Sequence, residues 1–370
     1  MIKVLNVISD TNIGGAGRCL LNFLKYYDRS RFEVKVVLPH DSLLAPQVQA
    51  LGVPVIEADG LGEQSLSLTG IRALRKIIRA EKPAIVHTHG AMSGRIAARG
   101  TGAKIVYTRH SAFPLSPRMQ KGPGRFVYKT VNELFADRII AVSEASRVNL
   151  LEGGIDPEMI DTMMNGVEPV PRLDASECAA LRKAYGIPDN AFVTGILARI
   201  EEYKGHRYIL EALRLLRDQG REVYLLVGGT GGYEEEVKAL CHEMGLDPYV
   251  RFFGLVTEID RFLSLLDLQL NASYVTETSS LSVLEGLSMG LPAVVSNCAG
   301  NPWVIDDGDD GLLFTNQDSA DLAAKIAQLM DDPDTLHRMG RRAGEIYSQR
   351  FTGEIFARNV EAVYDKVLEV

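Results

Sequence analysis

The chain has 370 residues, nearly half of them hydrophobic and about a quarter charged, so more than one folded core is expected. The net charge of −8 argues against a broad nucleic-acid-binding surface. No apolar run approaches the roughly 20 residues that a membrane helix needs. The four cysteines are far apart and form no C-x-x-C pair, which indicates reduced thiols in a cytoplasmic protein and neither a disulfide framework nor a zinc site.

Short apolar runs rich in β-branched residues alternate with segments of helical period along the whole chain. The first, Met1–Ser9, predicts a buried strand and not a signal peptide, because no long apolar region or small-residue cleavage site follows it. The predicted strands are Val4–Ile8, Val34–Leu38, Val53–Ile56, Ala84–His87, Lys104–Tyr107, Ile139–Val142, Ile160–Met164, Phe192–Leu197, Val223–Val227, Val250–Phe253, Leu268–Asn271, Ala293–Ser296 and Leu312–Phe314.

This alternation predicts parallel sheets covered by helices on both faces, because the strands are apolar without a polar side. Such sheets bind ligands beyond the carboxyl ends of their strands. A turn-rich stretch with two prolines, Asn165–Pro171, predicts the joint between two domains. An amphipathic helix is predicted from Phe351 to Tyr364.

The most informative stretch runs from Glu277 to Glu285 and leads into an apolar helix that Gly290 and Pro292 end. The beginning of a helix offers unpaired N–H groups and a partial positive charge, which suit phosphate. An ionised carboxylate only accepts hydrogen bonds and therefore suits sugar hydroxyls. Together these features predict a site for a nucleotide that carries a sugar.

The Glu-x7-Glu pattern at Glu277 and Glu285 resembles the signature of the family 4 retaining glycosyltransferases, which have the GT-B fold. Further segments follow the order and spacing of that family over nearly the whole chain. They are Gly14-Gly15, Val86–Gly90, Thr108–His110, Asn165–Val167, Arg199, Lys204-Gly205, Val227–Gly229, Phe253-Gly254, Gly290–Pro292 and Gly311–Leu313.

The resemblance implies an α/β protein with two Rossmann-like, doubly wound parallel-sheet domains that face each other across a cleft. Residues 1–165 would form the acceptor-side domain, with segment 351–370 packing back on it. Residues 172–350 would form the domain that binds the nucleotide sugar. The implied reaction moves a sugar from a UDP-sugar, or next a GDP-sugar, to a hydroxyl acceptor with retained configuration, in glycan, lipopolysaccharide, exopolysaccharide or glycolipid synthesis.

For the donor site, the resemblance implies that Glu285 binds the ribose hydroxyls and that Glu277 accepts hydrogen bonds from the sugar. The backbone of Ser279, Ser280 and Leu281 would meet the diphosphate, although the family often has an aromatic residue and a glycine at the two serines. Two alternatives stay open from the residues alone. Ser282 and Glu285 have the spacing of a helix capping box, and Glu277 could be a solvated loop residue.

Two cations, Arg199 and Lys204, follow a strand of the second half and would stabilise the departing diphosphate. The alternative is a surface pair balanced by Glu201 and Glu202. The backbone from Gly254 to Thr257 would recognise the base.

In the first half, Gly14 and Gly15 lack the G-x-G-x-x-G dinucleotide fingerprint but allow a phosphate to approach the backbone. By resemblance they face the donor phosphates and the acceptor, and His110 contacts the donor sugar. His89 and Arg109 would lie on the acceptor side. His87 and His89 share one face if their strand continues, and one of them would pack or hydrogen-bond locally.

No cofactor or metal is expected, because no carboxylate stands at a ligand spacing from these histidines and no Asp-x-Asp motif occurs among the strands. Trp303 stands where the family commonly has an acid. It could be a core residue or could stack on a ligand.

Basic and apolar residues interleave in segment 113–129. The segment could meet an anionic membrane surface or a lipid-linked acceptor, or it could be a solvated loop on the acceptor side that leads into a helix. The first possibility places a cytoplasmic protein at the inner face of the membrane, where it would meet a sugar or lipid-linked acceptor. Two other functions remain open: a sugar-nucleotide epimerase on the same fold, and a non-catalytic relative that binds nucleotide sugar.

Overall fold

The structure of the protein is a computed structural model that describes residues 1–62 and 65–369. Val370, the last residue of the predicted segment 351–370, therefore lies outside the described residues. The chain divides into two compact units. The first, unit 1, comprises Met1–Val167 and Phe351–Val370, and the second, unit 2, comprises Glu168–Arg350.

All strands within the described residues belong to two parallel sheets. The strands are β1 (Ile2–Ile8), β2 (Phe32–Leu38), β3 (Val55–Glu57), β4 (Ile85–His89), β5 (Lys104–Arg109), β6 (Arg138–Ala141), β7 (Ile160–Thr162), β8 (Phe192–Leu197), β9 (Val223–Gly228), β10 (Val250–Gly254), β11 (Leu268–Asn271), β12 (Ala293–Ser296) and β13 (Gly311–Phe314). The order is β3-β2-β1-β4-β5-β6-β7 in unit 1 and β10-β9-β8-β11-β12-β13 in unit 2.

Helices lie between successive strands along the chain and follow the last strand, β13. They are α1 (Gly15–Tyr26), α2 (Ala45–Ala50), α3 (Leu68–Glu81), α4 (Met92–Ala98), α5 (Pro117–Gln120), α6 (Gly122–Leu134), α7 (Glu144–Glu152), α8 (Ala175–Ala184), α9 (His206–Asp218), α10 (Glu234–Glu243), α11 (Ile259–Ser264), α12 (Leu281–Ser288), α13 (Asn301–Val304), α14 (Ser319–Asp331), α15 (Pro333–Arg350) and α16 (Gly353–Leu368). Short 3-10 helices occupy Pro157–Met159 and Glu202–Lys204.

The strand orders confirm the predicted α/β fold with two doubly wound sheets. In each sheet the order reverses at one point, between β1 and β4 in unit 1 and between β8 and β11 in unit 2. Open α/β sheets bind ligands outside the carboxyl ends of the strands at such a reversal. The fold therefore singles out the loops that follow these four strands as places for a site.

Both sheets are buried on their two faces, as the unbroken apolar strands predicted. Every residue of β4, β9, β11 and β12 is buried. The last helix, α16, belongs to unit 1, where Glu361 accepts a hydrogen bond from the Asp28 N–H at 2.6 Å. The ring of Tyr364 packs edge-on against Phe23 and Phe32.

The predicted strands all exist, with differences at their ends. The strand predicted as Ala84–His87 runs to His89, because a parallel ladder with β1 and β5 continues through the two histidines. The strand predicted as Ile160–Met164 stops at Thr162, and the one predicted from Val53 begins at Val55.

Candidate active site

The carboxylate of Glu277 lies among three hydrogen-bond donors in unit 2. Its Oε2 atom accepts from Lys204 Nζ at 2.8 Å, from Asn271 Nδ2 at 3.1 Å and from the Ser273 hydroxyl at 2.9 Å. The Oε1 atom accepts only from the N–H of Thr278, at 3.2 Å, among the described residues. Oε1 therefore keeps capacity for a further donor.

The environment of Glu277 keeps this carboxylate ionised. Burial alone would raise its pKa, since the side chain is only 8% exposed. The positive charge of Lys204 and the hydrogen bonds from Lys204, Asn271 and Ser273 outweigh burial and lower the pKa below its ordinary value. An ionised carboxylate in this place accepts hydrogen bonds and does not donate them.

The two predicted cations lie on the loop after β8, where the strand order reverses, and both contact one tyrosine. The guanidinium of Arg199 donates to the Tyr203 hydroxyl at 2.8 Å, and the ammonium of Lys204 lies 5.6 Å from the centre of the Tyr203 ring. Neither cation forms a salt bridge with Glu201 or Glu202 within the described residues. The alternative of a balanced surface pair is therefore excluded.

The second glutamate of the pattern, Glu285, is buried in the second turn of α12. The helix begins at Leu281, and Ser280 precedes it without a side-chain capping bond. Ser282 is already inside the helix, so it cannot be the N-cap residue of a capping box with Glu285. This excludes the structural alternative that the spacing of these two residues left open.

The loop from Glu277 to Ser280 packs against the loop that follows β12. The N–H of Gly300 donates to the Glu277 carbonyl at 3.1 Å, and a Cβ atom at Gly300 would lie 1.8 Å from the Thr278 carbonyl oxygen. Only glycine allows this close approach. Its neighbour Ala299 has a φ of 50°, in the left-handed region that glycine favours.

Trp303 lies on α13, a few residues after this loop, with its side chain 50% exposed. Its exposure excludes a core role, the first of the two possibilities that the sequence left open.

Gly254 ends β10 with a φ of 63°, and its carbonyl accepts from the Gly229 N–H at 2.7 Å. A cavity of about 250 Å³ lies beside the following residues and is lined in part by Phe253, Leu255 and Thr257. The predicted base-binding backbone therefore borders a concave surface.

In unit 1, Gly14 and Gly15 lie at the beginning of α1, directly after β1. Gly14 is the N-cap residue with extended backbone, and a Cβ atom at Gly15 would meet no atom within 4 Å. Local packing therefore does not explain a glycine at position 15.

The three histidines near the ends of β4 and β5 form one cluster, in which His87 and His89 are buried and His110 is partly exposed. His89 Nδ1 lies 2.9 Å from His110 Nε2, and His89 Nε2 lies 3.0 Å from Asn6 Oδ1. His87 lies on the same face as His89, with ring centres 4.4 Å apart, and bonds to Tyr364 and Thr108 at 2.7 and 2.6 Å. Both ring nitrogens of His87 therefore have partners within unit 1, as have both ring nitrogens of His89.

Burial keeps these imidazoles neutral. It lowers the pKa of His87 to about 3 and that of His110 to about 4. The pKa of His89 lies well below its ordinary value, through burial first and then through the neighbouring histidines.

The structure does not place Arg109 in this cluster. Its guanidinium donates to the Phe113 carbonyl at 3.2 Å and to the Tyr128 hydroxyl at 3.5 Å. The predicted acceptor-side role of Arg109 stays a prediction.

Sequence reasoning missed the residues that form hydrogen bonds with the predicted site residues His89, Arg199 and Glu277. They are Asn6, Tyr203, Asn271 and Ser273. Asn271 and Ser273 could have been found, because they are polar residues at the carboxyl end of an apolar strand. Asn6 lies inside an apolar strand, where only its polarity gives a signal.

Within the described residues, no group of three or more His, Cys, Asp or Glu side chains could hold a metal ion. The helices that the structure describes include none with both the length and the apolar composition of a membrane span.

Comparison with known proteins identifies the chain. Residues 13–170 match the family model described as Glycosyltransferase Family 4, and residues 179–345 match the one described as Glycosyl transferases group 1. The chain belongs to the family 4 type of GT-B glycosyltransferases. This family 4 enzyme is 26% identical over 355 residues to EpsD of Bacillus subtilis (strain 168), which is named as a glycosyltransferase. The match covers 93% of this chain and 91% of that protein.

A second relative of this glycosyltransferase is the UDP-Gal:alpha-D-GlcNAc-diphosphoundecaprenol alpha-1,3-galactosyltransferase of Escherichia coli. It is 28% identical over 90% of this chain and 88% of its own length. Among solved structures, Anabaena HepE in complex with UDP and glucose has a TM-score of 0.85 at 23% identity. It covers 99% of this chain and 100% of its own, and confirms the GT-B fold.

Proposed function

We propose that this glycosyltransferase moves a sugar from a nucleoside-diphosphate sugar, with UDP favoured and GDP next, to a hydroxyl acceptor with retention of configuration. The observation that carries the proposal is the ion pair between the partly buried Lys204 and the buried Glu277, near Arg199 and the beginning of α12. A carboxylate that is ionised but has one oxygen available suits sugar hydroxyls, and cations beside it suit the diphosphate.

For donor binding, Glu277 Oε1 is the acceptor that we assign to a hydroxyl of the sugar. Glu285 is assigned to the two ribose hydroxyls, which a carboxylate can bind with both oxygens. The N–H groups of Ser279, Ser280 and Leu281 at the beginning of α12 are assigned to the diphosphate. The backbone after Gly254 is assigned to the base.

For the chemical step, Arg199 and Lys204 stabilise the charge that grows on the departing diphosphate. Glu277 is held by Lys204, Asn271 and Ser273 and is therefore poorly suited to attack the sugar as a nucleophile. A front-face reaction then follows. The bond from the anomeric carbon to the phosphate oxygen breaks, the acceptor oxygen bonds to the same face, and its proton passes to the leaving phosphate.

In unit 1, we assign Gly14 and Gly15 to close approach of the donor phosphates and His110 to the donor sugar. His89 and Arg109 are assigned to the acceptor side.

Relatives support UDP as the carrier and a lipid-linked acceptor. UDP-Gal and a diphosphoundecaprenol acceptor are in the name of the Escherichia coli enzyme, and HepE is described in complex with UDP and glucose. We therefore propose a UDP-sugar donor and a lipid-linked acceptor for this chain.

The test is turnover of UDP-, GDP- and ADP-sugars with and without a lipid-diphosphate sugar acceptor, followed by NMR of the anomeric centre of the product. We expect transfer from one nucleotide class with retained configuration, and slow hydrolysis without acceptor. An inverted product or a trapped covalent glycosyl-enzyme would overturn the mechanism. Conversion of the donor sugar without acceptor would favour the epimerase, and binding without turnover the non-catalytic relative.

We also propose that no metal takes part. Dialysis against EDTA should leave turnover unchanged, and restoration by Mg²⁺ or Mn²⁺ after a loss would contradict this.

We further propose that α5, α6 and the loop before them contact an anionic membrane surface. Phe113, Met119, Phe126 and Val127 are exposed, Phe126 by 70%. The cations between them, Arg118 and Lys121, form no salt bridge within the described residues, and Arg125 bonds only to the Glu152 carbonyl. Exposed apolar side chains interleaved with unpaired cations are the composition that binds anionic lipid.

Co-sedimentation with vesicles containing phosphatidylglycerol at low salt tests this surface. Replacement of Arg118, Lys121 and Arg125 by Glu should abolish binding. The matched control is the same replacement of Arg72, Lys76 and Arg79, three exposed cations on α3 of the same unit. Equal loss in both triple variants would show that general charge, and not this surface, attracts the lipid.

A further inference from the structure

Three polar side chains form a hydrogen-bonded chain across neighbouring strands of unit 1. Asn6 lies in the middle of β1, His89 ends β4, and His110 follows β5. The distances are 3.0 Å from Asn6 Oδ1 to His89 Nε2 and 2.9 Å from His89 Nδ1 to His110 Nε2. Asn6 is fully buried and His89 nearly so. His110 itself is partly exposed, but its Nδ1 atom is buried.

With the amide oxygen of Asn6 toward His89, as the structure has it, the position of every proton along this chain follows. A carbonyl oxygen only accepts, so His89 Nε2 must carry a hydrogen. A neutral imidazole has one N–H, which leaves a lone pair on His89 Nδ1. That lone pair must accept from His110 Nε2–H, and the lone pair of His110 is then on Nδ1.

The Nδ1 atom of His110 is buried and has no hydrogen-bond partner among the described residues. Its neighbours do not compete for it, because His89 takes the opposite nitrogen and His87 bonds to Tyr364 and Thr108. A buried acceptor without a donor is unfavourable until a ligand supplies one. A sugar hydroxyl is such a donor.

We propose that Asn6 and His89 are positioning residues that hold His110 as its Nε2–H tautomer, so that Nδ1 accepts a hydrogen bond from a hydroxyl of the sugar substrate. This rests on the proposed function for the identity of the ligand. The tautomer itself depends only on the chain of hydrogen bonds. Burial of the three imidazoles supports it, because it keeps them neutral. An amide turned the other way, with its nitrogen toward His89, would reverse every proton and make Nδ1 a donor.

The test is two-bond ¹H–¹⁵N NMR of the full chain labelled at histidine, at neutral pH, which distinguishes protonated from unprotonated ring nitrogens. The signals are assigned with His89→Gln and His110→Gln. We expect both histidines to carry the proton on Nε2. A proton on Nδ1 of His110 in the wild type overturns the proposal, and this measurement needs no variant of Asn6.

Variants then separate positioning from packing. Asn6→Leu removes the amide oxygen at similar size, and we expect His110 to become a mixture of tautomers. Asn6→Asp keeps an acceptor and should keep the Nε2–H form. The matched control is Thr108→Val, which also deprives a buried histidine of its partner but leaves this chain intact. An unchanged His110 signal in Asn6→Leu would contradict the role of Asn6.

Kinetics supply the last readout. We expect Asn6→Leu to lower kcat at least tenfold with the donor that the wild type uses, Asn6→Asp to restore most of it, and Thr108→Val to change it little. Equal losses in Asn6→Leu and Thr108→Val would reduce Asn6 to a packing residue. If the wild type turns over no sugar nucleotide, the proposed function and the hydroxyl role fall together, while the tautomer of His110 still decides the positioning role.

Discussion

We expect Lys204 to act both on the chemical step and on the stability of the fold, and the two effects can be measured separately. Removing it as Lys204→Met should cost on the order of 3 kcal/mol of transition-state stabilisation, roughly a hundredfold in kcat. It should also destabilise the fold by about 3 kcal/mol, because Glu277 is left as a buried unpaired charge.

The double variant Lys204→Met/Glu277→Gln tells these effects apart. It should recover much of the stability in urea unfolding, since no charge is then buried alone, while kcat stays low. Recovery of activity together with stability would show that neither Lys204 nor the charge of Glu277 takes part in the reaction and that the pair acts only on the fold.

Gly15 offers a test in which stability and binding move in opposite directions. Gly15→Ala adds a methyl group into open space at the beginning of α1 and should raise the free energy of unfolding by about 0.4–1 kcal/mol. If a phosphate approaches there, donor affinity should fall, as titration calorimetry would show. Gly344→Ala on α15, where a methyl group has ordinary contacts, is the control that should leave affinity unchanged. Full affinity in Gly15→Ala would remove Gly15 from the site.

Among the structural elements, the loop before α12 depends on the loop after β12. Gly300→Ala would place its Cβ atom against the Thr278 carbonyl and force the two loops apart, so donor binding should be lost and the melting temperature should fall. The neighbouring Ala299→Gly removes the backbone strain of an alanine in the left-handed region, so donor binding should persist and the melting temperature should not fall. Normal donor binding by Gly300→Ala would mean that the loop geometry does not position the donor.

Most strands could be predicted from the sequence, because unbroken apolar runs rich in β-branched residues are typical of buried parallel strands. The strand from Phe192 to Leu197 has the predicted bounds, and so have the two that follow β10. Errors came where a ladder outlasts the apolar run, as at His89. The spacing of Ser282 and Glu285 was ambiguous because a capping box and a helix-borne ligand residue share one pattern. Partners such as Tyr203 and Asn6 depend on tertiary contacts, which no local pattern encodes.

For the whole molecule, buried neutral histidines predict loss of stability in mild acid. His110 and His206 have pKa values of about 4 in the folded chain, against 6.5 for an ordinary histidine, with burial as the main cause. The unfolded chain therefore binds protons first as pH falls. Each such histidine should remove up to about 1.4 kcal/mol per pH unit between pH 6.5 and about 4, and nothing further below that.

His206 isolates one such contribution, because neither of its ring nitrogens has a hydrogen-bond partner among the described residues. His206→Leu should stabilise unit 2 at pH 5 more than at pH 7 in urea unfolding. An equal effect at both values would show that His206 is not buried as a neutral group.

We propose that unit 2 binds a nucleoside-diphosphate sugar through Glu277, Glu285 and Lys204. Thermal unfolding with UDP-, GDP- and ADP-sugars tests it most directly, with Glu285→Gln beside the wild type. Glu361→Gln is the control, since Glu361 is a glutamate of nearly equal burial on a helix of unit 1. At a hundred times the dissociation constant the wild type and the control should gain about 2.7 kcal/mol with one nucleotide class, and Glu285→Gln much less. Equal stabilisation of all three proteins, or of none by any sugar nucleotide, would contradict the account.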